Sequence, residues 1–124
     1  MTSDFERIGG EAPLRTIIDD FVERVFDDIM IGFFFRNASK ERLREMEYQH
    51  AAEHLGGGVE YGGRPMRVAH GPHRIMGGHF ERRKKLLSDV LTAHGVEDDV
   101  RERWIAHTES LRADITSDAG SECR

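Results

Sequence analysis

The sequence predicts an all-α protein, with one domain over residues 1–115 and a disordered tail over residues 116–124. Three observations support this fold class. Apolar residues recur at three- and four-residue spacing in four segments, no segment alternates convincingly at period two, and glycine clusters separate the segments. The chain has 124 residues, of which 38% are hydrophobic and 33% charged, and this suits a single small domain.

Four helices follow from the apolar periodicity. We place them from the turn at Gly9 and Gly10 to about Asp27, from about Ser39 to the glycines at 56–58, from about His79 to His94, and from about Asp98 to Ile115. The core side of the second helix is expected to carry Leu43, Met46, Ala51 and Leu55. Residues 59–78 form a connector rich in glycine and proline. A connector of that length is unusual in a compact domain and indicates function.

Composition excludes several classes of protein. The net charge of −5 gives no electrostatic footprint for nucleic acid. No apolar run reaches the length of a membrane span and no signal peptide opens the chain, so we expect a cytoplasmic protein. The single cysteine, Cys123, excludes an intrachain disulfide. The basic run 82–85 is expected to be the solvated side of a helix.

Histidines and carboxylates are the groups that indicate chemistry. Glu47, His50 and His54 share one face of the second helix, at i, i+3 and i+7. Because a buried carboxylate is costly without a partner, Glu47 either reaches solvent or meets a histidine, an arginine, a metal or water. His70, in the connector, is a candidate iron ligand. Ordinary surface or helix-end positions are expected for His79, His94 and His107.

A set of landmarks runs along nearly the whole chain, from about Phe5 to Ile115. The landmarks are Ile8–Gly10, Phe34–Phe35, Leu55–Gly57, Tyr61–Met66, His70 and His79–Phe80. In their order and spacing they resemble the truncated haemoglobins of the first group. The resemblance implies a globin-like, two-over-two helical sandwich around haem b, with His70 as the proximal ligand of the iron. It also implies that the haem is contacted by Phe35, Tyr61, Met66, Phe80 and Trp104.

The side of the haem that receives the ligand departs from the family pattern. The family usually has a tyrosine that hydrogen-bonds to bound oxygen where this chain has Val22. The helix positions that face the ligand are Leu43 and Glu47, and the second often carries a glutamine. His50 replaces a usual aromatic residue, and Arg83 replaces a small apolar residue of the pocket.

These polar residues suggest more than oxygen storage or transport. The expected function is a haem protein that binds oxygen or nitric oxide, with Glu47 and His50 as candidate catalytic groups in peroxide, nitric oxide or nitrite turnover. Such a dioxygenase-like or peroxidase-like oxidoreductase would need a reductase, and we expect a monomer or weak homodimer. Alternatively, Glu47 or His50 closes on the iron and gives a six-coordinate resting state.

Two further alternatives keep the fold and discard the haem. Glu47-x-x-His50 has a spacing used in di-iron helical proteins. With His54, His70 or His73 it would hold one or two non-haem irons, while Trp104 would help to fill the space of the porphyrin. The last alternative is a sensor or interaction module without any metal.

Overall fold

The computed structural model describes residues 2–61 and 77–112, and within these ranges every regular element is helical. The elements are α1 (Asp4–Ile8), α2 (Glu11–Asp27), a 3₁₀ helix (Gly32–Phe35), α3 (Lys40–His54), α4 (Gly77–Ala93) and α5 (Asp98–Ser110). The prediction of an all-α fold is therefore confirmed. The predictions for Met66, His70, His73 and the C-terminal tail lie outside the described residues.

Helix α1 is an element that the periodicity did not predict, because five residues are too few to show a repeat. Its start is a capping box, in which the Glu6 amide donates to Ser3 Oγ at 3.1 Å and the Ser3 amide donates to Glu6 Oε1 at 3.3 Å. Gly9 ends the helix with a φ of 118°, a left-handed conformation that favours glycine. This turn allows α2 to begin only two residues later.

Helix α2 supplies the largest share of the core. Its buried side chains are Leu14, Ile17, Ile18, Phe21, Val22 and Val25. They recur at the spacing of one helix face, as the sequence predicts, and α2 packs against both α3 and α4. The apolar face of α2 therefore packs against the two helices, α3 and α4, that carry the polar residues of the site.

Helix α3 begins where predicted, since Ser39 Oγ accepts from the Arg42 amide at 3.2 Å. Its buried side chains are Tyr48, Ala51 and Ala52, followed by Leu55 just after the helix. The prediction of Met46 in the core is wrong, because that side chain is only half-buried. Few apolar residues mark this helix, so Tyr48 decides its rotation, with the Arg15 guanidinium carbon 3.8 Å from the centre of its ring.

Helices α4 and α5 largely coincide with the predicted segments, but α5 ends at Ser110, before the predicted Ile115. Helix α4 begins two residues before the predicted His79, and Gly95 follows it with a φ of 70°. The buried side chains of α5 are Val100, Trp104 and Thr108. Within residues 2–61 and 77–112, no helix combines the length and the apolar character that a membrane span needs.

The basic run 82–85 does not simply face solvent. Arg82 reaches Asp28, whose side chain is 4% exposed, at 2.7 Å. Arg83 reaches Glu47 at 2.9 Å, and Lys84 reaches Glu109 of α5 at 2.8 Å. The predicted solvated surface is therefore wrong for these three residues, because they join α4 to neighbouring parts of the fold.

Candidate functional site

Helix α3 is joined to α4 by an ion pair of Glu47 and Arg83. Arg83 Nη2 donates to both carboxylate oxygens of Glu47, at 2.9 and 3.0 Å. The two side chains are 22% and 23% exposed. The guanidinium carbon lies 4.9 Å from the centre of the Phe21 ring, so the cation also contacts an aromatic side chain of α2. Of the partners considered for Glu47, the structure selects the arginine.

Four apolar residues predicted for the haem pocket are buried or partly buried. Val22 follows Phe21 in α2 and is fully buried, and Phe80 lies one turn before Arg83 in α4 and is 1% exposed. Leu43, one turn before Glu47, is partly buried against the core. The 3₁₀ helix contributes Phe35, whose ring centre is 5.6 Å from that of Phe26. Among the described contacts, the half-buried Glu47–Arg83 pair meets apolar surface at the ring of Phe21.

A histidine cluster, formed by His50, His54 and His107, joins α3 to α5. The rings of His54 and His107 are stacked with centres 4.1 Å apart. The ring of His50 lies 5.3 Å from His107 and 5.8 Å from His54. His107 lies in the last turn of α5, as a helix-end residue would, but its ring packs in the cluster and is not an ordinary surface group. Its position three residues after the buried Trp104, on the same helix face, is the signal that would have indicated this.

Burial sets the charge state of the histidine cluster. Removal from water lowers the pKa of His50 and of His107, and it lowers the pKa of His54 to about 3, with repulsion from the other two imidazoles as the next cause. In addition, Nε2 of His107 is buried and has no hydrogen-bond partner within residues 2–61 and 77–112. The cluster is therefore a set of neutral rings near pH 7.

Two of the predicted haem contacts lie at the histidine cluster instead of the ion pair. The ring of Tyr61 is 5.5 Å from His50, and its amide donates to Glu53 Oε2 at 3.0 Å. The buried ring of Trp104 is 5.5 Å from that of His54. Tyr61 and Trp104 thus lie with the histidines, whereas Glu47 is paired with Arg83 of α4.

His79 and His94 are helix-end residues, as predicted. His79 lies in the first turn of α4, with its ring centre 5.0 Å from that of Phe34. His94 follows α4, and its Nε2 is 2.9 Å from Asp20. Neither belongs to the histidine cluster.

The described donors do not converge on a non-haem metal. In residues 2–61 and 77–112, no group of three histidine, cysteine or carboxylate side chains is arranged to hold an ion. Glu47 is occupied by Arg83, while His50 faces other rings. Because the described donors do not converge and Glu47 is charge-balanced by Arg83, the donor set fits a metal that a porphyrin brings and that needs one axial imidazole.

Comparison with known proteins agrees with this interpretation. The model of the bacterial-like globin family matches residues 3–117. A group 1 truncated haemoglobin of Mycolicibacterium paratuberculosis is 32% identical over 95% of this chain and 88% of its own length. One from Synechocystis is 31% identical over 81% of this chain and 84% of its own length.

Solved structures show the same fold. The truncated haemoglobin of Tetrahymena pyriformis in its Fe(III) form has a TM-score of 0.84 and 26% identity, over 92% of this chain and 97% of that one. The haemoglobin of Chloroflexus aurantiacus has a TM-score of 0.82 and 26% identity, over 94% and 99%. The family match spans the segment that contains His70 and both polar contacts of α3. The chain therefore belongs to the bacterial-like globins, within the group 1 truncated haemoglobins.

Proposed function

We propose that the protein carries haem b on His70 and binds a diatomic ligand, oxygen or nitric oxide, on the side of the Glu47–Arg83 pair. The observation that carries the proposal is the family match over residues 3–117, because it includes both His70 and the ion pair. Globins imply a haem iron. The convergent donors that a non-haem iron enzyme would need are not found among the described residues.

Each residue has a distinct task in this proposal. The bound haem supplies the iron that takes up the ligand. The imidazole of His70 holds the group from one side. Phe35 and Phe80 provide apolar contact and keep water from the pocket, as Met66 does by family resemblance.

The residues on the ligand side do not favour long retention of oxygen. Val22 has no hydrogen-bond donor, whereas the family usually has a tyrosine there. The carboxylate of Glu47, paired with a guanidinium, only accepts hydrogen bonds, and it repels the partial negative charge on bound oxygen. Arg83 is the donor nearest to Glu47. We therefore expect oxygen to leave faster than from a pocket with a neutral amide at residue 47.

A second candidate function is redox turnover of nitrite, nitric oxide or peroxide. It is favoured by the carboxylate of Glu47, the guanidinium of Arg83 and the ring of His50, which lies one turn after Glu47. Reduction of nitrite to nitric oxide and water takes up one electron and two protons. A reductase would supply the electron and solvent the two protons, which Glu47 and His50 would relay toward the ligand.

The test uses the absorption spectrum of the purified protein and the rate at which its ferrous form releases oxygen. We expect an intense porphyrin band, and slower oxygen release in Glu47→Gln because an amide can donate. The matched control is Glu45→Gln, which changes a carboxylate on the same helix that pairs with Arg15. A chain without a porphyrin band would contradict the haem, and equal release rates would contradict the role of Glu47.

A further inference from the structure

The hydrogen bonds of Arg83 leave part of its guanidinium unused. Both bonds to Glu47 come from one nitrogen, Nη2. Within residues 2–61 and 77–112, Nε and Nη1 of Arg83 make no hydrogen bond. Arg103 is different, since its Nε and Nη2 each bind one oxygen of Asp4, at 2.8 and 2.7 Å. That two-nitrogen fork is the geometry that binds a carboxylate most strongly.

The surroundings of Arg83 make its charge effective. Its side chain is 23% exposed, so solvent screens it less than a surface arginine. The guanidinium lies over the ring of Phe21 in α2, and this contact helps to hold it in position. With two free donor nitrogens, Arg83 can bind a second acceptor beside or instead of Glu47.

We propose that Arg83 makes the ligand site selective for small monovalent anions that accept hydrogen bonds, such as nitrite or fluoride, which exchange with Glu47 as its partner. The inference rests on the proposed function and names its ligand class. In this arrangement Glu47 is an internal competitor: its carboxylate occupies Arg83 until an anion arrives, and it repels an anion that does not engage Arg83. Neutral ligands gain nothing from the exchange.

The experiment is a fluoride titration of the ferric haem protein, followed by its absorption spectrum. Fluoride is a small anion that accepts hydrogen bonds, so its affinity reports the donor directly. Arg83→Gln is expected to weaken fluoride binding at least about tenfold, and Glu47→Gln to strengthen it about tenfold, because the first leaves the carboxylate unopposed and the second frees the cation. Imidazole, a neutral ligand, should change less than about threefold in both variants.

Arg82→Gln is the matched control, because it removes the adjacent cation of α4, which pairs with Asp28 instead of Glu47. Its fluoride affinity should stay within about twofold of the wild type. Arg83→Lys keeps the positive charge, so it should retain most of the fluoride affinity. If Arg83→Gln does not fold, Arg83→Lys and Glu47→Gln together still test the proposal.

The outcomes separate the two proposals. Opposite shifts in Arg83→Gln and Glu47→Gln, seen for fluoride and not for imidazole, support the exchange. Shifts of the same sign in the two variants, or equal shifts for imidazole, would indicate that the substitutions change the volume of the ligand site, and would overturn the exchange. Haem present with unchanged fluoride affinities overturns the inference alone, whereas a chain that takes up no haem overturns the proposed function and the inference with it.

Discussion

Helix α3 buries polarity in two opposite ways at its two contacts. On the α4 side, Glu47 and Arg83 bring opposite charges together at 2.9 Å. On the α5 side, the histidine cluster brings similar rings together, with His54 and His107 stacked at 4.1 Å and one buried nitrogen unpartnered. The first contact is satisfied by charge. The second is stable only while its rings are neutral, because protons would place like charges side by side.

The histidine cluster is the acid-sensitive contact of α3. A histidine whose folded pKa lies below its unfolded value is protonated more readily in the unfolded chain. Its contribution to stability is therefore complete above the unfolded value of 6.5 and is lost as the pH falls toward the folded value, about 3 for His54. The groups with opposing charge near the cluster are Glu47, Glu53 and Asp4, and they only partly offset this loss.

The largest expected effect is this acid response. Between pH 7.5 and 4.5, the wild type should lose about 2–3 kcal/mol more free energy of unfolding than His54→Gln. The reason is that His54 binds a proton in the unfolded chain over roughly the last two pH units of this range while it stays neutral in the folded chain, and glutamine does not titrate. Urea unfolding at the two pH values measures the loss. A wild-type response in His54→Gln would contradict the neutral cluster.

The ion pair should show the next largest effect. Arg83→Gln should destabilise the protein by about 1–2 kcal/mol, because it leaves a half-buried carboxylate without its cation. With Glu47→Gln and the double variant, a thermodynamic cycle should give a coupling of about 1 kcal/mol. The exposed pair of Lys85 and Asp89 should couple by less than about 0.5 kcal/mol. Equal coupling in the two pairs would remove the distinction between them.

A smaller effect is expected at the orphaned nitrogen. His107→Phe replaces a ring that has an unpartnered buried nitrogen by an apolar ring of similar shape. The free energy of unfolding at pH 7.5 should therefore stay within about 0.5 kcal/mol of wild type or rise by up to about 1 kcal/mol. A loss above about 2 kcal/mol, measured by the same unfolding, would mean that the nitrogen has a partner after all.

Salt should give the smallest difference. Raising the salt concentration should weaken the Glu47–Arg83 coupling because dissolved ions screen the attraction between opposite charges. The loss should be only a few tenths of a kcal/mol, since a half-buried pair is screened less than an exposed one. The stability of the neutral histidine cluster at pH 7.5 should not respond. Parallel responses of the two contacts to salt would place them in the same electrostatic class.

Sequence patterns predicted the helices and missed how they meet. Helix α2 follows from its periodicity because its buried residues repeat along one face. Met46 was misplaced because α3 has too few apolar residues to set its rotation, and packing of Tyr48 decides it. Glu47 and Arg83 are 36 positions apart, so their pairing depends on tertiary structure that no local pattern contains. The same holds for His107, whose partners belong to another helix.

The most direct test counts haem on the purified chain. Titration of the apo-protein with haem should reach one porphyrin per chain in the wild type, and His70→Ala should lose at least about tenfold in haem affinity, because it removes the axial imidazole. His73→Ala, three residues further, is the matched control and should bind as the wild type does. A wild-type chain that takes up no haem, or a His70→Ala chain that binds it equally well, would contradict a globin with His70 as its iron ligand.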